Sequence, residues 1–389
     1  MPEVTAVRAD LDHASTSPLR PAAVRAMRDA LDGSGPSPLA GDPGRIHQEG
    51  MTARVAVEEA REQVAVAFGA RSREVVFTSG ATESIAAASW GARERFAERH
   101  PDRGPGRVVL AAVEHSAVRE WADRGPSTVV GVDGTGRVDA EELMDAVDDD
   151  TALVHVQWGN HEVGTLQPVA EVVAACRERG VLVHVDAAQA AGHVPLDLVG
   201  LGADLVSISG HKFGGPTGTG ALVVRRGVRV PPLLVGGDQE RARRAGMENT
   251  LGVIGLAAAA TEAALGLDDE VPRIAALTDR VRRWAADEGG IEVVGAPAAS
   301  SLPHLVCLTF ADLEPQPVLL GLDRAGVAVH SGSSCSSESL EPSPVLAAMG
   351  VDAHRSLRVS VGWSSTDEDV DRLLDALPRV LDGLRSLRS

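Results

Sequence analysis

From residue 74 onward, short runs of β-branched and aliphatic residues alternate with longer stretches whose apolar positions recur at helical spacing. Strands are expected at Glu74–Phe77, Val108–Ala111, Thr128–Val132, Leu153–Gln157, Val181–Val185, Leu205–Ile208 and Ala221–Val224. Helices are expected between them, among them Glu83–Glu98, Ala140–Val147 and Val169–Arg179. Such alternation predicts an α/β fold with a mostly parallel sheet covered by helices on both faces. The run Val181–Val185 is apolar except for His184 and suits a buried central strand. Upstream lie an extended piece at Ala9–His13, a helix at Ala22–Leu31 and a Gly/Pro/Ser-rich loop at Gly33–Gly44. A second helix follows at Thr52–Phe68, with Val55, Ala56, Val64 and Phe68 as its inward positions.

An Ala-rich helix from Leu251 to Leu265 runs into the polar break Asp268-Asp-Glu-Val-Pro272. A domain boundary near residue 265 is expected there, giving a large domain at 15–265. A smaller α/β domain is expected from 1–14 together with 266–389. Its elements are a helix at 273–287, strands near 292 and 304–310, a helix at 316–325 and a strand at 327–329. A Gly/Ser loop at 331–339, a helix at 343–349, a strand at 357–361 and a last helix at 366–386 complete it.

Composition narrows the function. At 389 residues with 44 % apolar and 24 % charged content, the chain reads as a soluble globular protein with an aliphatic core. A net charge of −18 argues against nucleic acid or an acidic membrane surface as partners. No membrane span is expected, and Met-Pro-Glu-Val-Thr lacks the basic start and apolar run of a signal peptide. Cys176, Cys307 and Cys335 are spaced neither as a disulfide framework nor as a metal site, so a reducing cytoplasm and no metal are expected.

Of the 37 Lys and Arg residues, 36 are arginine; the single lysine is Lys212, within Ser209-Gly-His-Lys212. A guanidinium does not supply a free amine, so one retained lysine suits Schiff-base chemistry with a carbonyl compound such as pyridoxal phosphate. Drift in an Arg-rich chain explains the count equally well. Three further polar stations follow predicted strands. Thr78-Ser-Gly-Ala-Thr-Glu-Ser84 opens a helix and suits either a phosphate or routine capping. Asp186 suits either a pyridine nitrogen or a helix N-cap. His115 follows a third strand and suits stacking on a ring or moving protons, although a single loop histidine more often does neither. Four such stations in one sheet make a shared site the simpler explanation, because ligands gather outside the carboxyl ends of strands.

Together these stretches resemble the cysteine desulfurases of the class V aminotransferase group. The markers are Leu11-Asp-His-Ala-Ser-Thr16, Ser79-Gly-Ala-Thr-Glu-Ser84, Glu114-His115, Asn160-His-Glu-Val-Gly164, His184-Val-Asp-Ala-Ala-Gln189, Ser209-Gly-His-Lys212, Gly236-Gly-Asp-Gln-Glu240, Ser331-Gly-Ser-Ser-Cys-Ser-Ser337 and Leu357-Arg-Val-Ser-Val-Gly362. The resemblance implies PLP fold type I, aspartate aminotransferase-like, and conversion of L-cysteine to L-alanine with a persulfide on Cys335. It implies Lys212 as the Schiff-base lysine, Asp186 on the pyridine nitrogen, Gln189 on the ring hydroxyl and His115 stacked on the ring and moving protons. Ala81, Thr82, Ser209 and His211 are implied at the phosphate, Arg358 at the substrate carboxylate. A protein or small-molecule sulfur acceptor and a homodimer are implied too. Cys176 and Cys307, in a helix and a strand, are expected to be structural.

Some positions depart from the family pattern. His161 stands where an asparagine near cofactor and substrate is usual, and Met247 where a threonine reaches a phosphate across the dimer, a contact missing here or moved to Thr250. Asp42 and Thr217 also differ. These leave the substrate open, so a C–S lyase or selenocysteine lyase competes, as does a cofactor-free interaction protein on a decayed enzyme fold.

Overall fold

The computed structural model describes residues 8–33, 41–331 and 342–387. In chain order its strands are β1 (Ala9–Asp10), β2 (Val75–Thr78), β3 (Arg107–Ala111), β4 (Ser127–Val130), β5 (Thr151–Gln157), β6 (Leu182–Asp186), β7 (Leu205–Ser209), β8 (Gly220–Val224), β9 (Ile291–Val294), β10 (Leu305–Phe310), β11 (Val327–Ala328) and β12 (Ser356–Ser360). The helices are α1 (Pro21–Asp32), α2 (Gln48–Ala67), α3 (Ala81–Arg99), α4 (Ser116–Ala122), α5 (Ala140–Asp145), α6 (Val169–Arg179), α7 (Leu198–Leu201), α8 (Gln239–Ala242), α9 (Thr250–Asp287), α10 (Pro315–Arg324), α11 (Pro344–Ala348) and α12 (Asp367–Ser386).

Seven strands form one sheet in the order β2-β8-β7-β6-β5-β3-β4. Strands β7, β6, β5, β3 and β4 are mutually parallel, and β8 runs antiparallel to both of its neighbours. All but β8 therefore deliver their carboxyl ends to the same edge. The central strands β5, β6 and β7 are buried almost throughout, as their near-continuous apolar runs require. A three-stranded antiparallel sheet, β12-β10-β9, and the short pair β1-β11 belong to a second unit. That unit has its own core, with Ile274, Leu277, Val281, Val306, Leu308, Leu357, Leu373 and Leu377 all buried.

Two expectations are corrected. The helix expected to stop at Leu265 instead continues unbroken from Thr250 to Asp287 and passes through Pro272. Proline there forfeits one backbone bond. Both halves are nonetheless held by packing, the first by Val253, Leu256, Ala260 and Ala263, the second by Ile274, Leu277 and Val281. The polar break is also occupied: Glu270 takes both guanidinium nitrogens of buried Arg20, at 2.6 and 2.8 Å. The apolar half of α9 matches a membrane-crossing segment in length and hydropathy, yet much of it packs against α1 and α2. Gly255 permits the close approach, since a Cβ there would lie 2.7 Å from Pro216.

The second correction concerns α2. Val55 is 47 % exposed; the buried stripe is Ala53, Ala56, Val57, Ala60, Arg61 and Val64. Neighbours on a helix point about 100° apart, and the core takes the Ala56 side. Arg61 is in that stripe because Glu240 receives it at 2.5 and 2.8 Å in the interior. Cys176 and Cys307 are buried free thiols, both pushed up to about 12 mainly by burial.

Candidate active site

At the carboxyl edge of the large sheet a cavity of about 230 Å³ is lined by Ala14, Ser15, Ala81, Thr82, Ile85, His115, Gln157, Gly159, His161, Asp186, Ala188, Gln189, Ser209, His211, Lys212 and Arg358. All ten of the cofactor- and substrate-contacting residues expected from sequence are in that wall. A larger cleft of about 590 Å³ lies at the opposite edge, between α3 and α6, but it carries no convergent amine, carboxylate and imidazole. Chemistry, not volume, identifies the site.

Each wall group is set by its strand end. Asp186 closes β6, is 7 % exposed, and accepts the Ala188 N–H at 2.9 Å. Burial raises its pKa, while His115 and Lys212 oppose that rise. His115 caps α4, its Nδ1 accepting the Ala117 N–H at 3.1 Å, so the neutral ring carries its proton on Nε2. Burial keeps this imidazole below its ordinary pKa, partly offset by Asp186. Lys212 follows β7 in a short turn, with Nζ donating to the carbonyls of Ala14 and Ser15 at 2.7 and 2.9 Å. His211 is pushed down to about 4 by burial and the neighbouring Lys212. Gln189 donates to the Ala14 carbonyl at 2.8 Å.

The N-terminus of α3 presents Ala81 and Thr82 to the cavity, next to Ser209. Gly80 precedes it at φ 147°, a conformation that only glycine adopts readily. Glu83, in the first turn, accepts from Ser79 N–H at 2.8 Å and from Arg244 at 2.9 Å. Burial works against its charge, but these bonds hold the carboxyl below its usual range.

Arg358, on β12 of the second sheet, reaches the same cavity. It is 2 % exposed, and donates to Asp12 at 2.8 Å and to the His161 carbonyl at 2.8 Å. The His161 ring packs edge-to-face on His115, with centroids 4.9 Å apart. Burial, with smaller contributions from the neighbouring His115, Arg358 and Lys212, holds His161 well below its ordinary pKa. Three buried wall or near-wall atoms have no hydrogen-bond partner among the described residues: Glu114 Oε2, His161 Nδ1 and Arg358 Nε. Sequence reasoning missed Asp12, Glu114 and Gln157, although Asp12 and Glu114 stood inside quoted markers.

Cys335 lies outside the described residues. The chain on either side of 332–341 is anchored at the site. Arg358 N–H donates to the His330 carbonyl at 2.6 Å, and Ser343 Oγ donates to Glu162 at 2.5 Å, next to His161.

The sequence matches the profile of the family described as Aminotransferase class-V over residues 10–373. The chain belongs to the class V aminotransferase family. Among relatives, "Cysteine desulfurase IscS" of Dictyoglomus turgidum is 39 % identical, across 97 % of this chain and 95 % of that protein. A solved "NIFS-LIKE PROTEIN" is 32 % identical with a TM-score of 0.87, covering 96 % and 99 % of the two chains. A structure titled "SspA in complex with cysteine" is 25 % identical with a TM-score of 0.77, covering 92 % and 100 %. Class V aminotransferases work with pyridoxal phosphate. The donor set fits that group: an amine for its aldehyde, a buried carboxylate for its ring nitrogen, an amide for its hydroxyl, and a helix start beside a serine for its phosphate.

Proposed function

We propose that this class V family member is a cysteine desulfurase that converts L-cysteine to L-alanine and leaves the sulfur as a persulfide on Cys335. The observation that carries the proposal is that one flank of the Cys335 segment bonds to the backbone of Arg358, in the wall holding Lys212 and His115, and the other bonds to Glu162, the neighbour of wall residue His161. The cysteine complex of the SspA structure and the desulfurase relatives support the same substrate.

When bound, pyridoxal phosphate supplies a carbonyl for the substrate amine and a ring that accepts electron density from the α-carbon. Arg358 takes the substrate carboxylate, with a fork already oriented by Asp12 and the His161 carbonyl. Lys212 takes the α-proton with the amine that two main-chain carbonyls hold at the cavity. Asp186 would hold the ring nitrogen, Gln189 the ring hydroxyl, and Ala81, Thr82, Ser209 and His211 the phosphate. His115 would lie against the ring and could give its Nε2 proton to a departing group. The Cys335 thiolate attacks the substrate sulfur; the C–S bond breaks, its electron pair stays with carbon, and protonation there together with return of the α-proton from Lys212 completes alanine. An acceptor thiol or protein then removes the outer sulfur. The reading includes a homodimer, a reducing cytoplasm, a large domain at 15–265, and a small one from 1–14 and 266–389.

The test is incubation of the PLP-loaded protein with cysteine, assaying alanine, sulfide and pyruvate separately. Alanine without pyruvate supports desulfuration, whereas pyruvate indicates a β-eliminating lyase. Cys335→Ala abolishes persulfide formation; undiminished sulfur release by that variant would rule out the cysteine's role. A protein that takes up no PLP would leave only a cofactor-free role.

A further inference from the structure

Behind the cavity wall, three imidazoles are buried together: His13 at 1 %, His193 at 4 % and His304 at 0 % exposure. The rings of His193 and His304 stack with centroids 3.8 Å apart and planes within 18°. None of the three lines the cavity, and the mechanism above uses none of them.

Their hydrogen bonds fix the protons. The Ala14 carbonyl can only accept, so the Gln189 amide nitrogen facing it at 2.8 Å must donate. That leaves Gln189 Oε1 turned to His304 Nε2 at 3.2 Å, and Nε2 must carry the proton of that bond. His304 Nδ1 is then bare, in keeping with its lack of a partner among the described residues. By the same argument His193 Nε2 donates to the Lys212 carbonyl at 3.2 Å. That carbonyl also accepts from Ser17 Oγ at 3.0 Å, whose lone pair receives His13 Nδ1–H at 3.0 Å. The charged or titratable groups acting on His304 are His193, His13, Arg358 and Lys212; burial dominates, and the ring stays neutral.

We infer that His304, braced by His193, is a positioning residue that locks the Gln189 amide with its second N–H toward the cavity, and so sets the donor offered to the cofactor's ring hydroxyl. The stacked pair fastens Gln189 and the Lys212 peptide at once, one imidazole on each. Without the His304 donor the amide is held by the Ala14 carbonyl alone and can swing about that bond, which weakens the N–H it offers to a ring oxyanion. The inference rests on the proposal that this cavity holds pyridoxal phosphate against Lys212.

The experiment follows the visible absorption of the PLP-loaded protein as a function of pH. It compares wild type with His304→Phe, which keeps the stack but loses the donor, and with His304→Gln, which restores an N–H. Loss of a donor to the ring oxygen makes that oxygen hold the neighbouring proton more tightly. The transition in His304→Phe is therefore expected to move up by roughly one pH unit, with His304→Gln back near wild type. An unshifted transition in a loaded His304→Phe with wild-type melting temperature overturns the inference and leaves the functional reading intact. Failure of wild type itself to develop a visible band overturns the functional reading. Should His304→Phe not fold, nitrogen-15 NMR of the cofactor-free wild type decides: a proton on His304 Nε2 is expected, and a proton on Nδ1 refutes the inference.

Discussion

Glu114 is fully buried, its Oε1 accepting the Gln157 N–H at 2.8 Å and its Oε2 without a hydrogen-bond partner among the described residues. Burial, reinforced by Asp186, raises its pKa to about 8. An acid whose pKa is raised on folding costs stability as pH climbs from its ordinary value near 4.5 to about 8, after which the cost is constant. Glu114→Gln keeps an acceptor for Gln157 and removes the charge. Its melting temperature is expected to exceed wild type at pH 9 and to match it near pH 4.5, as thermal melts will show. Arg358 gives a second prediction at this scale. Lysine cannot span both Asp12 and the His161 carbonyl, so Arg358→Lys should raise KM for cysteine roughly tenfold or more, with a smaller change in kcat. Steady-state kinetics will separate the two. Strand-end residues such as Asp186 and Lys212 were legible because position along one strand decides their placement. Asp12 on Arg358 was not, since 346 residues separate them and only packing of two units joins them.

Among the elements, α8 is a single left-handed turn: Glu240, Arg241 and Ala242 all have φ between 48° and 60°. Each such non-glycine residue costs on the order of 1–2 kcal/mol. The turn persists because Glu240 lies inside, holding Arg61 and the Phe77 N–H at 2.9 Å. Ala242→Gly should relieve the strain and, after glycine's extra chain entropy, gain about 0.5–1 kcal/mol in urea unfolding. Glu240→Ala should lose about 3–5 kcal/mol, because it leaves the buried Arg61 only the half-exposed Glu58, at 3.2 Å, in place of an interior carboxylate. Hydrophobic spacing announced nearly every strand of the large sheet, and both buried cysteines. It could not announce a charged pair at 2 % exposure, nor that packing at both ends of α9 would carry the helix through Pro272.

Across the whole molecule, buried imidazoles set the acid limit. His184 is pushed down to about 3 and His193 to about 4, while His155 and His304 lie well below their ordinary value, all mainly through burial. These rings are neutral when folded and protonate near 6.5 when unfolded. Their contribution is therefore present above pH 6.5 and is lost as pH falls toward 4. For His193 alone the loss approaches roughly 3 kcal/mol. Melting temperature should therefore begin to drop near pH 6.5, well above the range in which ordinary carboxylates protonate. A decline starting only below pH 5 would contradict this. The row Ser89, His155, His184 and Ser207, hydrogen-bonded across three strands, was visible in sequence only as a stray His184 in an apolar run.

The lone lysine has a consequence for covalent modification. Where other proteins scatter dozens of side-chain amines over their surface, this one offers Lys212 alone, half-buried and turned toward two carbonyls. If Lys212 plays the proposed role, acetyl or succinyl transfer to lysine has no harmless target, and the first acyl group added would silence the enzyme. The same scarcity makes lysine side-chain labelling report on a single address, one that the bound cofactor should shield.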